Sequence, residues 1–295
     1  MGQKKNSTIF SLSLKNSKWK SKYIEKNTEE SSSLLHKNVE TQNYLTQIFK
    51  LHGLTLHSCI IDYTQKSINF LILFFEKKTE TNIFYKQHLK KLKRKRRTTI
   101  STSKNTLLYK NSKELIFHIV NLILIKNLSL FFKNRSINIK VQNLNEKFAL
   151  LLRKNVSYYK ILQRIARTFK RFTKDKVFKE LIKVFFIALF EKNSAKLIAK
   201  SISRYFTKHK KQHGLIIFFL KKILLDLQSL KFSKIKGVKI IINGRFNGAQ
   251  RSNRKIIKVG IVPLQSFIST ISYFEDTAYT KNGTFGIKVW ICEKD

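Results

Sequence analysis

Residues 237–249 read Gly-Val-Lys-Ile-Ile-Ile-Asn-Gly-Arg-Phe-Asn-Gly-Ala. The stretch from Val238 to Ile242 is rich in β-branched residues, which suit a pleated, half-buried strand better than a helix. It ends at Asn243-Gly244, a pair that accepts the positive φ angles of a tight hairpin, so the chain is expected to turn back there. Downstream the pattern repeats. Ser269 to Lys281 and Thr284 to Cys292 flank Asn282-Gly283, and Phe285, Ile287, Val289 and Ile291 alternate with polar or small residues. One face of that sheet should therefore pack on helices. Two apolar-periodic stretches directly upstream, Ala195 to Thr207 and Leu215 to Leu227, supply them. Residues 192–295 are thus expected to form an α+β domain of two helices on a mixed or antiparallel sheet.

A second α+β unit is expected nearer the N-terminus, over residues 34–145. Leu35, Val39, Tyr44, Leu45, Ile48 and Phe49 fit one side of a helix from Leu34 to Leu51. Strands follow at Leu54 to Tyr63 and Ser67 to Phe75, then a helix from about Lys113 to Leu128 and a strand from Ser136 to Val141. Residues 1–33 read as a basic N-terminal extension. Two segments interrupt the pattern and read as insertions. Residues 76–111 hold twelve basic side chains against two acidic ones, and residues 146–191 include a basic amphipathic helix. In the latter, Tyr158, Ile161, Leu162, Ile165, Phe169 and Phe172 share a face, while Arg164, Arg167 and their basic neighbours fill most of the rest.

Charge narrows the function. With 60 Lys+Arg against 17 Asp+Glu, the net charge is +43. A compact monomer at that charge repels itself, so a polyanion belongs to its expected native state. A membrane is a poor candidate, because the uninterrupted apolar runs reach only six or seven residues and a spanning helix needs roughly 20. Lys, Asn, Ile and Phe are abundant while Gly (9) and Pro (1) are scarce, a usage that fits an A/T-rich genome. Codon drift therefore accounts for part of the lysine content. Cys59 and Cys292 lack ligand-spaced partners and read as small buried hydrophobes, so no metal and no cofactor is expected. His52, His57 and the other histidines stand at no telling spacing from a carboxylate or nucleophile, so no catalytic residue is assigned.

Three segments of the tail, taken together, resemble a known family. Gly237 to Ala249, then Val262-Pro263-Leu264 with the chain's one proline, then Gly283-Thr-Phe-Gly-Ile-Lys-Val-Trp-Ile291 match, in order and spacing, the signature segments of universal small-subunit ribosomal protein three. Met1-Gly-Gln-Lys-Lys-Asn6, Trp19, Gln42-Asn-Tyr-Leu45 and Ala195-Lys-Leu-Ile-Ala-Lys-Ser-Ile202 are similar to other parts of it. The resemblance implies an N-terminal KH-like (type II) domain, here carrying insertions, followed by the α+β tail domain. It implies a structural, non-enzymatic role on the head of the small ribosomal subunit near the messenger-RNA entry channel. The implied partners are small-subunit rRNA, messenger RNA and neighbouring proteins such as ten and fourteen, with no membrane and no homo-oligomer. Because the similarity begins at position 1, no leader is expected; with the codon usage this points to an organelle-encoded protein, mitochondrial rather than plastid.

Two departures from the family stand out. A KH domain grips the nucleic-acid backbone through a glycine-containing GxxG loop, whereas the position before the second helix here reads Tyr109-Lys-Asn-Ser112. The backbone clamp is expected to be lost. The basic cluster between the paired helices, Lys208, Lys210 and Lys211, also stands about a turn early. The expected RNA contacts are Lys4 and Lys5, the run Lys93, Arg94, Lys95, Arg96 and Arg97, then Arg164, Arg167, Lys208, Lys210, Lys211, Arg245, Arg251, Arg254 and Lys255. A nucleic-acid-processing or splicing factor on a borrowed ribosomal scaffold is the competing reading. It would need Asp62, Glu76, Asp226 and Glu275 gathered around a metal. An anionic-lipid binder acting through residues 158–174 is a third.

Overall fold

The computed structural model describes residues 6–10, 20–25, 27–64, 66–76, 112–132, 135–154, 163–164, 167, 176–209, 213–228, 234–250 and 253–294. In chain order these form α1 (Ser7–Phe10), β1 (Ser21–Lys22), α2 (Thr28–Leu51), β2 (Leu54–Tyr63), β3 (Ser67–Glu76), α3 (Ser112–Phe131) and β4 (Ser136–Asn143). Then come α4 (Leu144–Lys154), α5 (Lys176–Phe190), α6 (Ala195–Lys208), α7 (His213–Gln228), β5 (Ile235–Gly244), β6 (Asn253–Gly260), β7 (Ile271–Thr280) and β8 (Gly283–Glu293). The chain divides into two compact units, Trp19–Lys147 and a tail unit of Phe148–Asp295 with Met1–Lys18.

In the first unit a four-stranded sheet runs β1-β2-β3-β4. β2 and β3 are antiparallel, while β1 and β4 lie parallel to their neighbours. β3 explains its own placement: Ile68, Phe70, Ile72 and Phe74 alternate and are buried, the period-two signature of a strand with one covered face. Leu45, Ile48 and Phe49 of α2 and Val120, Leu124 and Leu128 of α3 complete that core. α2 begins six residues before the expected Leu34, because Glu29 and Glu30 occupy its first turn, where carboxylates oppose the positive end of the helix dipole. Ser31, Ser32 and Ser33 donate to carbonyls three residues back. Residues 21–22 and 28–33, read as an extension, are thus part of this unit.

The tail unit holds the larger correction. α5 lies within the segment read as a basic insertion, yet Phe178, Leu181, Val184, Phe185, Phe186 and Leu189 are all buried. Apolar residues around most of its circumference make it a core helix. It is tied to α6 by a part-buried ion pair, Arg204 Nη1 to Glu180 Oε2 at 2.9 Å. Three helices therefore accompany this sheet rather than two. The sheet runs β6-β5-β8-β7 with every pair antiparallel. Its centre is dry: Ile240, Ile242, Phe285, Ile287, Val289 and Ile291 are each 0% exposed.

Asn243-Gly244 does not turn. Both residues continue β5, paired with Arg254 and Asn253 across the ladder. Glycine is required at 244 for a steric reason, since a Cβ there would sit 2.3 Å from the Phe285 ring. The reversal falls at the second Asn-Gly pair, where Asn247 and Gly248 adopt φ of 49° and 81°. The other hairpin forms where expected, between Thr280 and Gly283, with Gly283 at φ 124°. Cys59 and Cys292 are both buried thiols.

Gly244→Ala should cost about 1–3 kcal/mol, the usual range for overpacking a filled core. Gly286→Ala, whose Cβ would meet nothing within 4 Å, should cost well under about 1 kcal/mol. Urea unfolding midpoints followed by Trp290 fluorescence separate the two, and equal midpoints would contradict the packing described.

Candidate nucleic-acid interface

Three described cations of the tail unit, Arg245, Arg254 and Lys255, stand where β5 ends and β6 begins. β6 is an edge strand, and its Arg254, Lys255 and Lys258 are exposed while Ile257 and Val259 point into the core. Lys255 pairs with Ile242 and Arg254 with Asn243, so both stand beside the β5–β6 connection. Arg245 opens that connection. Its Nε donates to the carbonyls of Gly248 (3.2 Å) and Ala249 (3.0 Å), and Nη2 donates to Gly248 (3.0 Å). The guanidinium is exposed and already fixed in direction by its own loop.

The turn between α6 and α7 meets the same loop. The backbone N–H of His213 donates to Asn247 Oδ1, and the backbone N–H of Asn247 donates to His213 Nδ1, both at 3.2 Å. With Nδ1 accepting, the ring proton sits on Nε2, which donates to the His209 carbonyl at 3.2 Å. The imidazole is buried among the rings of Phe206, Phe246 and Phe285, with centroids 5.2, 6.2 and 5.1 Å away. Lys208 is exposed at the end of α6.

The fastening was not foreseen. The sequence offered two hints, a histidine at the start of a helix and a second Asn-Gly pair, but nothing in periodicity links positions 213 and 247. Of the other expected contacts, Arg164 and Arg167 are helical and exposed. Lys4, Lys5, Lys93 to Arg97, Lys210, Lys211 and Arg251 lie outside the described residues, as do Tyr109 to Asn111 of the expected KH loop. On the outer sheet face Lys239 sits 5.6 Å from the Trp290 ring centre, and Tyr273 packs on the same indole at 5.0 Å. Trp290 is covered, not a stacking platform.

Among the described residues no group of three or more His, Cys, Asp or Glu side chains is placed to hold a metal. Asp62 pairs with Asn69 near one end of the β2–β3 ladder, and Glu76 pairs with Leu54 at the other. Asp226 and Glu275 belong to the tail unit. No described helix is long and apolar enough to cross a membrane.

Fold and surface together define a class: an antiparallel α+β domain whose edge strand and adjoining loops present cations. Residues 219–291, from within α7 to the end of the sheet, match the family model of the ribosomal protein S3 C-terminal domain. The chain is 43% identical over 79 residues to small ribosomal subunit protein uS3c of Emiliania huxleyi, covering 27% of this chain and 37% of that protein. It is 46% identical over 57 residues to uS3 of Phocaeicola vulgatus (19% and 24%) and 34% identical over 118 residues to uS3 of Phytoplasma vitis (40% and 46%). In each of the three, the match spans less than half of the relative's length. The tail unit is thus similar to the C-terminal domain of small ribosomal subunit protein uS3 over residues 219–291, about a quarter of this chain.

The His213 environment generates a pH dependence. Burial pulls its pKa below the ordinary 6.5, partly opposed by the His209 carbonyl. The unfolded chain then binds the proton at higher pH than the folded one, so stability rises with pH across that interval. The contribution is complete above about 6.5 and is lost as pH falls below it. Urea midpoints of the native chain should drop between pH 7.5 and 5.5. His213→Phe should show a shallower drop, with His52, also lowered by burial, supplying the remainder. Parallel profiles for the two proteins would contradict a neutral His213.

Proposed function

We propose that this chain is a structural component of a small ribosomal subunit that binds rRNA and neighbouring ribosomal proteins in organellar translation. The observation that carries the reading is coincidence. The segment matching the S3 C-terminal domain, residues 219–291, is also the segment that presents Arg245, Arg254, Lys255 and Lys258 on an edge strand and its loop. Phosphate contacts from Lys and Arg dominate affinity for RNA, and those four need no catalytic geometry to act.

The remaining assignments go further. The order helix, two antiparallel strands, helix, strand in residues 28–143 supports a KH-like N-terminal domain. Tyr109-Lys-Asn-Ser112 in place of a glycine loop supports one that has given up its backbone clamp. A place on the subunit head near the messenger entry channel, beside proteins ten and fourteen, follows the family pattern. There the chain acts as one copy per subunit. Use inside an organelle is supported by relatives named uS3c and by the A/T-type residue usage. The expanded middle favours a mitochondrion over a plastid.

Sedimentation tests the reading. An epitope-tagged chain in an organelle lysate is expected to co-migrate with the small subunit and its rRNA at physiological salt. A chain that stays at the top of the gradient while the small-subunit peak is intact would overturn it.

A further inference from the structure

The outer face of the tail sheet carries a row of side chains that works against its own stability. Lys239 of β5 stands directly across the ladder from Lys258 of β6. Side chains so paired on one face have Cβ atoms roughly 5 Å apart, and like charges placed there repel. Glu275, a carboxylate on the same face, lies on β7 with β8 in between, and it pairs with Lys288 at 3.7 Å. Lys258 is exposed and has no ion-pair partner among the described residues. Arg254 continues the cationic line four residues along β6, about 13 Å away at the rise of a strand, with exposed Ile256 between them.

A cavity opens beside this row. It has a volume of about 610 Å³ and is lined by Lys239 and by Val262, Pro263, Leu264, Gln265 and Ser266 of the β6–β7 connection. Small-molecule sites span roughly 300–1,000 Å³. The wall is held in place before any ligand arrives. Val262 and Leu264 pack with Ile241, Ile271, Trp290 and Cys292. The Ser266 N–H donates to the Pro263 carbonyl at 3.4 Å, and Ser269 Oγ donates to the same carbonyl at 3.2 Å. On the floor, the Lys239 ammonium lies 5.6 Å from the centre of the Trp290 ring. Three kinds of chemistry therefore meet: an apolar wall, a cation, and the exposed carboxamide of Gln265, which offers both a donor and an acceptor. An unstacked base needs an apolar surface and hydrogen bonds at its edges, and its phosphate needs a cation.

We infer that this cavity takes one unstacked nucleotide of an RNA strand, its base against Pro263 and Leu264 within reach of Gln265 and its phosphate shared by Lys239 and Lys258. The inference rests on the RNA-binding reading above and names a site for an unpaired strand on the outer sheet face. A phosphate shared by the two lysines relieves their repulsion, and Arg254 meets another phosphate further along the strand. A line of cations suits a chain of phosphates better than the single carboxylate of a protein side chain.

The test uses the full chain and two fluorescein-labelled RNAs, a fully paired hairpin and the same hairpin with an unpaired 3′ overhang, in anisotropy titrations at several salt concentrations. The overhang should tighten binding about fivefold or more. Lys239→Gln and Lys258→Gln should each weaken overhang binding about threefold or more and lower the slope of log K against log salt by about 0.7. Lys258→Gln also removes a like-charge neighbour, so its urea midpoint should not fall. Gln265→Ala should reduce the overhang preference about threefold and leave the slope and the affinity for the paired hairpin unchanged. Lys281→Gln, which removes the same charge at the tip of the β7–β8 hairpin, should keep the full preference. If Lys239→Gln fails to fold, the exposed Lys258 and Gln265 decide. Equal binding of the two RNAs, or a preference untouched by Lys258→Gln and Gln265→Ala, would overturn the site while the RNA-binding reading stands. So would displacement of the overhang RNA by polyglutamate of equal charge as effective as displacement by unlabelled overhang RNA, since that assigns the cavity to an acidic protein segment. A native chain that binds neither RNA sinks the RNA-binding reading itself, and the site with it.

Discussion

The ring of Phe285 is the point on which the tail unit depends. It is 0% exposed, at the start of a central strand, and it is enclosed by Phe206, Phe246 and His213 with centroids 5.0 to 5.3 Å away. Each contact comes from a different element: the end of α6, the β5–β6 connection and the first residue of α7. Gly244 exists because the same ring leaves no room for a Cβ. Burying one Phe is worth about 1.5–3 kcal/mol, a large share of the net stability of an ordinary domain. Here that burial also has a geometric consequence. By drawing the first residue of α7 and Phe246 onto one ring, it sets His213 beside Asn247.

What the sequence disclosed and what it hid divide along the range of the interactions. Alternation in Ser67 to Phe75 and in Phe285 to Ile291 located the strands to within one or two residues, because one buried face imposes a period of two. Helix starts were less visible. α2 opens with Thr28-Glu-Glu-Ser-Ser-Ser, which has no apolar stripe to read; dipole and local side-chain bonds extend it. α5 was hidden differently. Its apolar run follows directly on a lysine- and arginine-rich stretch, and charge density overshadowed a helix that is buried almost all round. The reversal after β5 was assigned to the wrong Asn-Gly pair. Both pairs satisfy the backbone rule, and only the position of Phe285, some forty residues on, decides between them.

The site divides in the same way. Individual cations were legible, because an exposed Arg or Lys on an edge strand needs only local pattern to be recognised. Arg245 was expected as an RNA contact, and the structure gives it a further property: it closes its own loop. The pairing of His213 with Asn247 could not be read from either neighbourhood alone. A neutral imidazole accepting from a backbone N–H is a tertiary fact, set by the aromatic cage around it.

Charge and packing act here as separate constraints. A chain at +43 gains nothing by moving its cations inward, and the described core is accordingly apolar, with the Arg204–Glu180 pair as a part-buried exception. Repulsion among the surface cations must be borne by that core until a polyanion arrives. An edge strand suits this arrangement. Its outward side chains are exposed without disturbing the ladder behind them, and lysines there also discourage pairing with another sheet edge. The exposed lysines of β6, which we propose meet RNA, thus also keep the free sheet from associating with itself.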